Sequence, residues 1–158
     1  MAAEFADTQD CGNCIGMEIF KQFSIEAAHW LPNVPEGHKC RRMHGHSFQI
    51  EIHVAGPLDS RLGWVMDFAE IKAAFEPIEA QIDHYCLNDI EGLENPTSEN
   101  LARWIWNRLL PSLPLLSKVI VRETCTSGCV YTGDSLSVDS VNKKASPLRT
   151  GLFCFAYV

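Results

Sequence analysis

The sequence predicts one α+β domain, in which a four-stranded antiparallel sheet carries two helices on one face. Apolar residues alternate at period two in two segments near the N-terminus, and they recur at helical spacing in two central segments. Two further strand-like segments follow. The order strand, strand, helix, helix, strand, strand favours an antiparallel sheet over a parallel one, and 158 residues suffice for one such core.

The first two strands are predicted from their alternation. From Glu18 to His29 the odd positions are mostly apolar, and His29 ends that face. From His46 to Val54 the alternation of apolar and polar residues is cleaner. A loop rich in turn-forming residues joins the two segments, so the strands are expected to pair antiparallel.

Both helices are predicted from capping residues and apolar spacing. Asp67 followed by Glu70 is typical of a reciprocally capped helix start, and Pro77 is expected to bend that helix or end it early. Thr97 or Ser98 is expected to cap the second helix. The apolar faces consist of Phe68, Ile71, Phe75 and Ile78 in the first helix, and of Leu101, Trp104, Ile105 and Leu109 in the second.

The last two strands are predicted over Lys118–Thr124 and Val130–Thr132, separated by Ser127 and Gly128. Outside this unit, residues 1–16 are interpreted as a polar leader and residues 134–158 as a C-terminal extension without an assigned structure. The domain itself is predicted over residues 17–133.

Charge and hydropathy exclude some classes of partner. The net charge of −7 argues against nucleic acid. The apolar run of residues 152–158 is too short to span a bilayer, and residues 1–10 have no secretory pattern, so no membrane partner and a cytoplasmic location are expected.

Seven cysteines in a chain without a predicted export signal indicate free thiols, metal ligands or a nucleophile in preference to disulfides. Cys11 and Cys14 form one C-x-x-C pair, and Cys125 and Cys129 form a C-x-x-x-C pair. These four could form a thiolate zinc site, although the first pair lies in the polar leader.

The motif His44-Gly45-His46 is the strongest local signal for chemistry. Residues at i and i+2 of an extended chain lie on one face, and here they extend the apolar face of the second strand. His29 ends the matching face of the first strand, so the three imidazoles are expected to converge. Three histidines leave a tetrahedral Zn²⁺ one open position, as in catalytic sites. The alternative is a turn with two surface histidines.

Cys40 lies four residues before His44 and next to Lys39, Arg41 and Arg42. Nearby Zn²⁺ and these cations would favour the thiolate, and hence a base or nucleophile. Cys40 could instead be a fourth zinc ligand, which would close the site, or a buried apolar residue.

Three acidic or basic residues complete the candidate site. Asp83 beside His84 could orient an imidazole as a relay, or the pair could be a solvated helix end. Glu123 continues the apolar face of Val119 and Val121. It is therefore either a residue at the exposed end of the strand or a buried acceptor for N–H groups of a ligand.

The chain resembles the 6-pyruvoyltetrahydropterin synthase superfamily, and within it the bacterial 6-carboxytetrahydropterin synthases of queuosine biosynthesis. The resemblance covers about residues 18–133 and is carried by FSIEAAHWLPNVPEGHKCRRMHGHSF, GWVMDFAEIK, IDHYCLND, GLENPTSENLARWIW and VRETCTSGC. The spacing C-x-x-x-H-G-H is similar to the carboxy-synthase subgroup, since the pyruvoyl synthases place the cysteine further from H-G-H.

The resemblance implies roles for individual residues. Zn²⁺ would be bound by His29, His44 and His46, with Cys40 as the proton-abstracting base. Asp83 and His84 would form the partner relay. The pterin would be held by Glu123 and, with its neighbouring backbone, Thr97.

The resemblance also implies a fold and a reaction. The tunnelling fold associates four-stranded units into a barrel with sites between subunits, so a homo-oligomer, a hexamer in the family, is expected. The substrate would be 7,8-dihydroneopterin triphosphate, converted to 6-carboxy-5,6,7,8-tetrahydropterin with release of acetaldehyde and triphosphate. A pyruvoyl synthase and a non-enzymatic zinc-binding module are the alternatives.

Overall fold

A computed structural model describes residues 16–134 of the chain. Its strands and helices are β1 (Met17–His29), β2 (His44–Gly56), α1 (Phe68–Ile82), α2 (Ser98–Leu109), β3 (Leu116–Thr124) and β4 (Ser127–Tyr131). Short 3₁₀ turns occupy Lys39–Arg41 and Leu87–Asp89. None of the helices in this part of the chain combines the length and the apolar character that crossing a membrane requires.

The four strands form one antiparallel sheet in the order β1-β2-β3-β4, which confirms the predicted topology. β1 and β2 pair along their whole length, from Met17 opposite Gly56 to His29 opposite His44. Since this register ends at the loop between the strands, it places the histidines of both strands at one corner of the sheet.

Both helices cover the same face of the sheet, as predicted. α1 packs on β1, whereas α2 packs on β3 and β4. The core between the layers is apolar. Its largest fully buried side chains include Phe48, Phe75, Ile25, Ile50, Ile52, Ile71, Ile82, Leu101, Ile105 and Leu109. Burial of this apolar area is the main favourable term in folding.

Local expectations about α1 and β4 need correction. α1 does not end early at Pro77 but continues to Ile82, and the carbonyl that lacks its helical donor belongs to exposed Ala73, where water can replace the bond. Phe68 lies at the first turn of α1 and is 50% exposed, outside the buried stripe. Ser127 and Gly128 lie within β4 and not in the turn, because the hairpin turn is formed by residues 125–126.

Both predicted cap residues are confirmed, but in the described part of the chain the Glu70 carboxylate accepts no bond from the Asp67 amide, so the cap of α1 is not reciprocal. The Asp67 carboxylate accepts a hydrogen bond from the Ala69 amide at 2.8 Å, and the Thr97 hydroxyl accepts one from the Asn100 amide at 3.3 Å. These bonds satisfy amides that have no partner within the helix. Thr97, and not Ser98, is therefore the cap of α2.

Candidate active site

Three histidines meet at the corner where β1 and β2 join their loop. His29 lies opposite His44 in the ladder, and His46 lies opposite Ala27. The ring centroids are 4.6 Å apart for His29 and His44, 5.2 Å for His29 and His46, and 5.0 Å for His44 and His46. One ring nitrogen from each histidine lies within 4.8 Å of the other two. The predicted convergence is confirmed.

Backbone carbonyls fix the tautomers of two of these rings. His29 Nδ1 lies 2.8 Å from the Pro96 carbonyl oxygen, and His44 Nδ1 lies 2.7 Å from that of Arg42. A carbonyl oxygen can only accept, so each Nδ1 carries the proton and donates it. The lone pair of each ring is then on Nε2, which is the arrangement found in metal-binding histidines.

The residues present fit a metal ion. His29 is 1% exposed, and its Nε2 atom has no hydrogen-bond partner among residues 16–134, a costly arrangement unless the atom binds something. Burial lowers the pKa of His29, which favours the neutral imidazole that a metal requires. Three imidazole nitrogens suit Zn²⁺ among other transition metals and leave a tetrahedral ion one open position.

A cleft of about 610 Å³ opens beside this cluster. His44 and His46 line it, and so does Cys40. The group of mutually close ligand atoms contains the three histidines and, among residues 16–134, no cysteine. This grouping favours an open three-histidine site with a partly exposed thiol near it over a closed four-ligand site.

The basic residues beside Cys40 differ in what they contact. Lys39 and Arg42 line the cleft. The Arg41 guanidinium instead donates to the carbonyl oxygen of Val34 at 3.1 Å, within its own loop. The side chain of His38 accepts from the Cys40 amide at 3.1 Å and thereby caps the 3₁₀ turn that carries the thiol.

Glu123 lines the same cleft from β3, with Thr124 and Ser127 beside it. It is half-buried at the end of the face formed by Val119 and Val121, which are fully buried. A carboxylate in this position can accept N–H groups of a ligand in the cleft while its neighbours remain in the core.

Asp83 and His84 form a pair, but they lie in a different cleft from Cys40. The Asp83 carboxylate is 2.9 Å from His84 Nδ1 and also accepts from the Glu26 amide at 2.9 Å. The Glu26 amide first and His84 second hold the pKa of Asp83 below its ordinary value, against a small opposing effect of burial. The His84 side chain is 76% exposed.

The backbone of His84 is unusual, since it has φ of 62°, and among residues 16–134 it is the one non-glycine residue with positive φ. Its amide donates to the Glu26 carbonyl oxygen at 2.6 Å, and the Tyr85 carbonyl oxygen accepts from Ala28. These bonds anchor the segment to the free edge of β1. The cleft that it borders, about 470 Å³, is shared with His46 and not with Cys40.

Thr97 uses its hydroxyl to cap α2 and does not line the cleft with Cys40. Its contact with a pterin stays a prediction. Sequence reasoning missed the Pro96 and Arg42 carbonyls, because a backbone oxygen leaves no residue-type signal.

The four-cysteine zinc site that the sequence allows cannot be examined in the structure, because Cys11 and Cys14 lie outside the described residues. Cys125 is exposed, and Cys129 packs against the core.

The fold and the histidine cluster define an α+β protein with a candidate metal site and with a thiol and a carboxylate in one cleft. Comparison with known proteins gives its family. The family model described as 6-pyruvoyl tetrahydropterin synthase matches residues 18–134. The chain belongs to this family of enzymes.

Individual relatives agree with this assignment. The chain is 49% identical over 125 residues to the 6-carboxy-5,6,7,8-tetrahydropterin synthase of Synechocystis, covering 75% of this chain and 95% of the relative. It is 34% identical over 126 residues to the Bacillus subtilis protein of that name, covering 72% and 84%. The structure of Caenorhabditis elegans 6-pyruvoyl tetrahydropterin synthase superposes with a TM-score of 0.70 at 26% identity, covering 75% and 96%. The expected tunnelling fold is thereby confirmed.

Proposed function

We propose that this chain converts 7,8-dihydroneopterin triphosphate to 6-carboxy-5,6,7,8-tetrahydropterin with release of acetaldehyde and triphosphate, in queuosine biosynthesis. The observation that carries the proposal is one cleft, lined by two of the clustered histidines, Cys40 and Glu123. The names of the Synechocystis and Bacillus relatives favour the carboxy product over the pyruvoyl one.

Zn²⁺ is the proposed cofactor, held by Nε2 of His29 and His44 and by a ring nitrogen of His46. When bound, it would supply Lewis-acid polarisation of the oxygen atoms of the substrate side chain. The Pro96 and Arg42 carbonyls keep two of the ligand rings oriented and their lone pairs directed away from the backbone.

Cys40 is the proposed base that removes a proton from the carbon beside a polarised oxygen. Its position on a capped 3₁₀ turn limits the movement of the thiol relative to the histidines. Lys39 and Arg42 would attract the triphosphate, because they are the cations that line the cleft in a protein of net charge −7. Glu123 would accept N–H groups of the pterin ring.

Asp83 and His84 are proposed to serve a site formed with a second copy of the chain. In a single subunit His84 lines a different cleft from Cys40 and is largely exposed. The family fold places sites between subunits, so a homo-oligomer would bring the relay of one subunit to the thiol of another. Asp83 would then orient the imidazole and stabilise its protonated form.

Two other functions are tested by the same experiment. A 6-pyruvoyl synthase, favoured by the name of the C. elegans structure, would retain all carbons of the side chain. A non-enzymatic zinc-binding module would bind metal without turnover. Zinc-loaded protein should be incubated with 7,8-dihydroneopterin triphosphate, and acetaldehyde should be trapped and measured together with the pterin product.

Equimolar acetaldehyde and carboxypterin are expected. A pyruvoyl product without acetaldehyde would replace the proposal by the first alternative, and bound zinc without any product would replace it by the second. The Cys40→Ala protein is the matched control for acetaldehyde from other sources.

A further inference from the structure

A side-chain amide, Asn88, bonds to the backbone directly after the metal-ligand candidate His29. Asn88 Oδ1 accepts from the Trp30 amide at 2.9 Å, and Asn88 Nδ2 donates to the Trp30 carbonyl oxygen at 2.8 Å. The two polar groups of one peptide residue are thus bonded by one side chain. Asn88 lies 58 positions further along the chain.

These two bonds continue a backbone ladder along the edge of β1. Earlier in that ladder His84 donates to Glu26, Ala28 donates to Tyr85, and Ala28 forms a parallel bridge with Cys86. At Leu87 the chain turns into a 3₁₀ helix and can no longer pair with β1 through its backbone. The Asn88 amide group has the same donor and acceptor as a peptide group, and it takes over the pairing at the position after His29.

Asn88 also reaches the segment that holds the other side of His29. Its Nδ2 atom lies 3.3 Å from the Glu94 carbonyl oxygen. Two residues later the Pro96 carbonyl accepts from His29 Nδ1. Asn88 therefore links the backbone that carries the imidazole to the loop that supplies its hydrogen-bond acceptor.

We propose that Asn88 is a positioning residue for metal binding, which fixes the backbone at His29 and the Pro96 carbonyl relative to each other. The inference rests on the proposed metal site. His29 is the most buried of the three candidate ligands. The orientation of its ring therefore decides whether the Nε2 atom can reach a metal ion. Loss of the link lets the ring and its acceptor move apart, which lowers metal affinity without removing a ligand.

The test compares Asn88→Ala, which removes all three bonds, with Asn88→Asp, which keeps the shape but removes both donors. Gln49→Ala is the matched control. The Gln49 amide group also bonds to β1, because it accepts from the Gln22 side chain at 2.8 Å and donates to the Ser24 hydroxyl at 2.8 Å. These bonds lie on the face of the sheet opposite to His29, His44 and His46.

Zinc affinity should be measured by competition with a chromophoric chelator, and the ligand field should be followed in the Co²⁺-loaded proteins. Both Asn88 variants should bind zinc about 10- to 100-fold more weakly, the usual effect of losing an outer-shell partner, and should show an altered Co²⁺ d–d spectrum. Gln49→Ala should retain wild-type affinity and spectrum.

Unchanged zinc affinity in folded Asn88 variants, with only a lower melting temperature of the metal-free protein, would overturn the inference and leave Asn88 a structural residue. Failure of the wild-type protein itself to bind zinc would instead overturn the metal site of the proposed function. The two failures are therefore distinguishable.

A measurement on the wild-type protein covers the case in which neither variant folds. Coupling between two sites is reciprocal, so zinc binding should slow hydrogen exchange of the Trp30 amide, whose acceptor is Asn88. The amide of Ile25, which lies opposite Phe48 within the β1–β2 ladder, should change much less. Equal exchange of the Trp30 amide with and without zinc would contradict the inference.

Discussion

His29 Nδ1 donates to the carbonyl oxygen of Pro96 at 2.8 Å, across 67 positions of the chain. The bond joins the end of β1 to the loop before α2, so the candidate metal centre is built from the sheet and from the helical layer together. The other ring nitrogen of His29, Nε2, is buried and has no hydrogen-bond partner in the part of the chain that the structure describes. This one bond therefore connects the fold to the candidate metal site.

Replacing His44 by Ala should remove most of the bound zinc. A direct ligand is lost, so affinity should fall by more than the ~10–100-fold expected for an outer-shell partner. Zinc content after dialysis, measured by mass spectrometry, checks this. His84→Ala is the matched control, since His84 lies outside the cluster and should leave zinc content unchanged. A His44→Ala protein with full zinc occupancy would rule out the three-histidine assignment.

Cys40→Ala should keep its zinc and lose turnover by roughly two orders of magnitude or more, the scale of a lost general base. The reason is that Cys40 lies beside the cluster but outside it. Turnover and zinc content should be measured on the same preparation. In Cys129→Ala, turnover should persist, because Cys129 packs against the core and burial raises the pKa of its thiol. Loss of zinc together with Cys40 would support the closed four-ligand site.

Replacing Lys39 and Arg42 together by Ala should raise KM for the triphosphate substrate more than it lowers kcat. Both cations line the cleft and would meet the substrate before chemistry begins. The difference from wild type should shrink at high salt, because exposed charges are then screened. Arg61→Ala, the loss of an exposed cation elsewhere, is the control. An unchanged KM in the double variant would exclude steering by this loop.

The fold and the histidine cluster were predictable because both depend on alternation along a strand. His29 and His46 lie at the ends of apolar faces, and the loop of residues 30–43 joins those two strand ends, so their meeting follows from period two and antiparallel pairing. The path of α1 through Pro77 was not predictable, because it depends on the exposure of the Ala73 carbonyl to water.

The separation of His84 from Cys40 was also not predictable from the sequence. It arises because the chain after α1 returns to the free edge of β1, beside Glu26 and Ala28. Period and composition carry no signal for that return, and a left-handed backbone at a histidine is rare enough that residue type does not predict it. The bonds of Asn88 were not predictable for a similar reason, because its partners are backbone atoms.

The Asp83 carboxylate should make stability depend on pH in acid. Its pKa is held below the ordinary value of about 3.9 by the Glu26 amide and by His84. A lowered pKa in the folded state means stability that is fully present above the ordinary pKa and is lost as pH falls through the folded one. The free energy of unfolding of wild type minus that of Asp83→Asn should therefore be constant above about pH 5 and decline below about pH 4.

Urea unfolding from pH 3 to pH 7 checks this, with Asp89→Asn as the control for an exposed carboxylate near the same segment. Comparison with the Asp89→Asn difference separates this effect from that of changing the net charge by one. A difference for Asp83 that grows toward acid pH would have the wrong sign and would show that the carboxylate is less stable as an anion in the folded protein.

Glu123→Gln should weaken pterin binding while leaving zinc content and folding nearly unchanged. Glu123 ends an otherwise buried apolar face and lines the cleft beside the histidines. The amide keeps the shape of the carboxylate but presents a donor where the pterin also donates. An unmatched buried pair costs about 1–3 kcal/mol, and more where the acceptor was charged, so affinity should fall by roughly ten- to a few-hundred-fold. Fluorescence titration with a pterin measures this directly. Glu76→Gln, an exposed carboxylate on α1, should bind as wild type does. Wild-type affinity in Glu123→Gln would place the pterin elsewhere, because the Gln amide has one acceptor atom where the carboxylate has two.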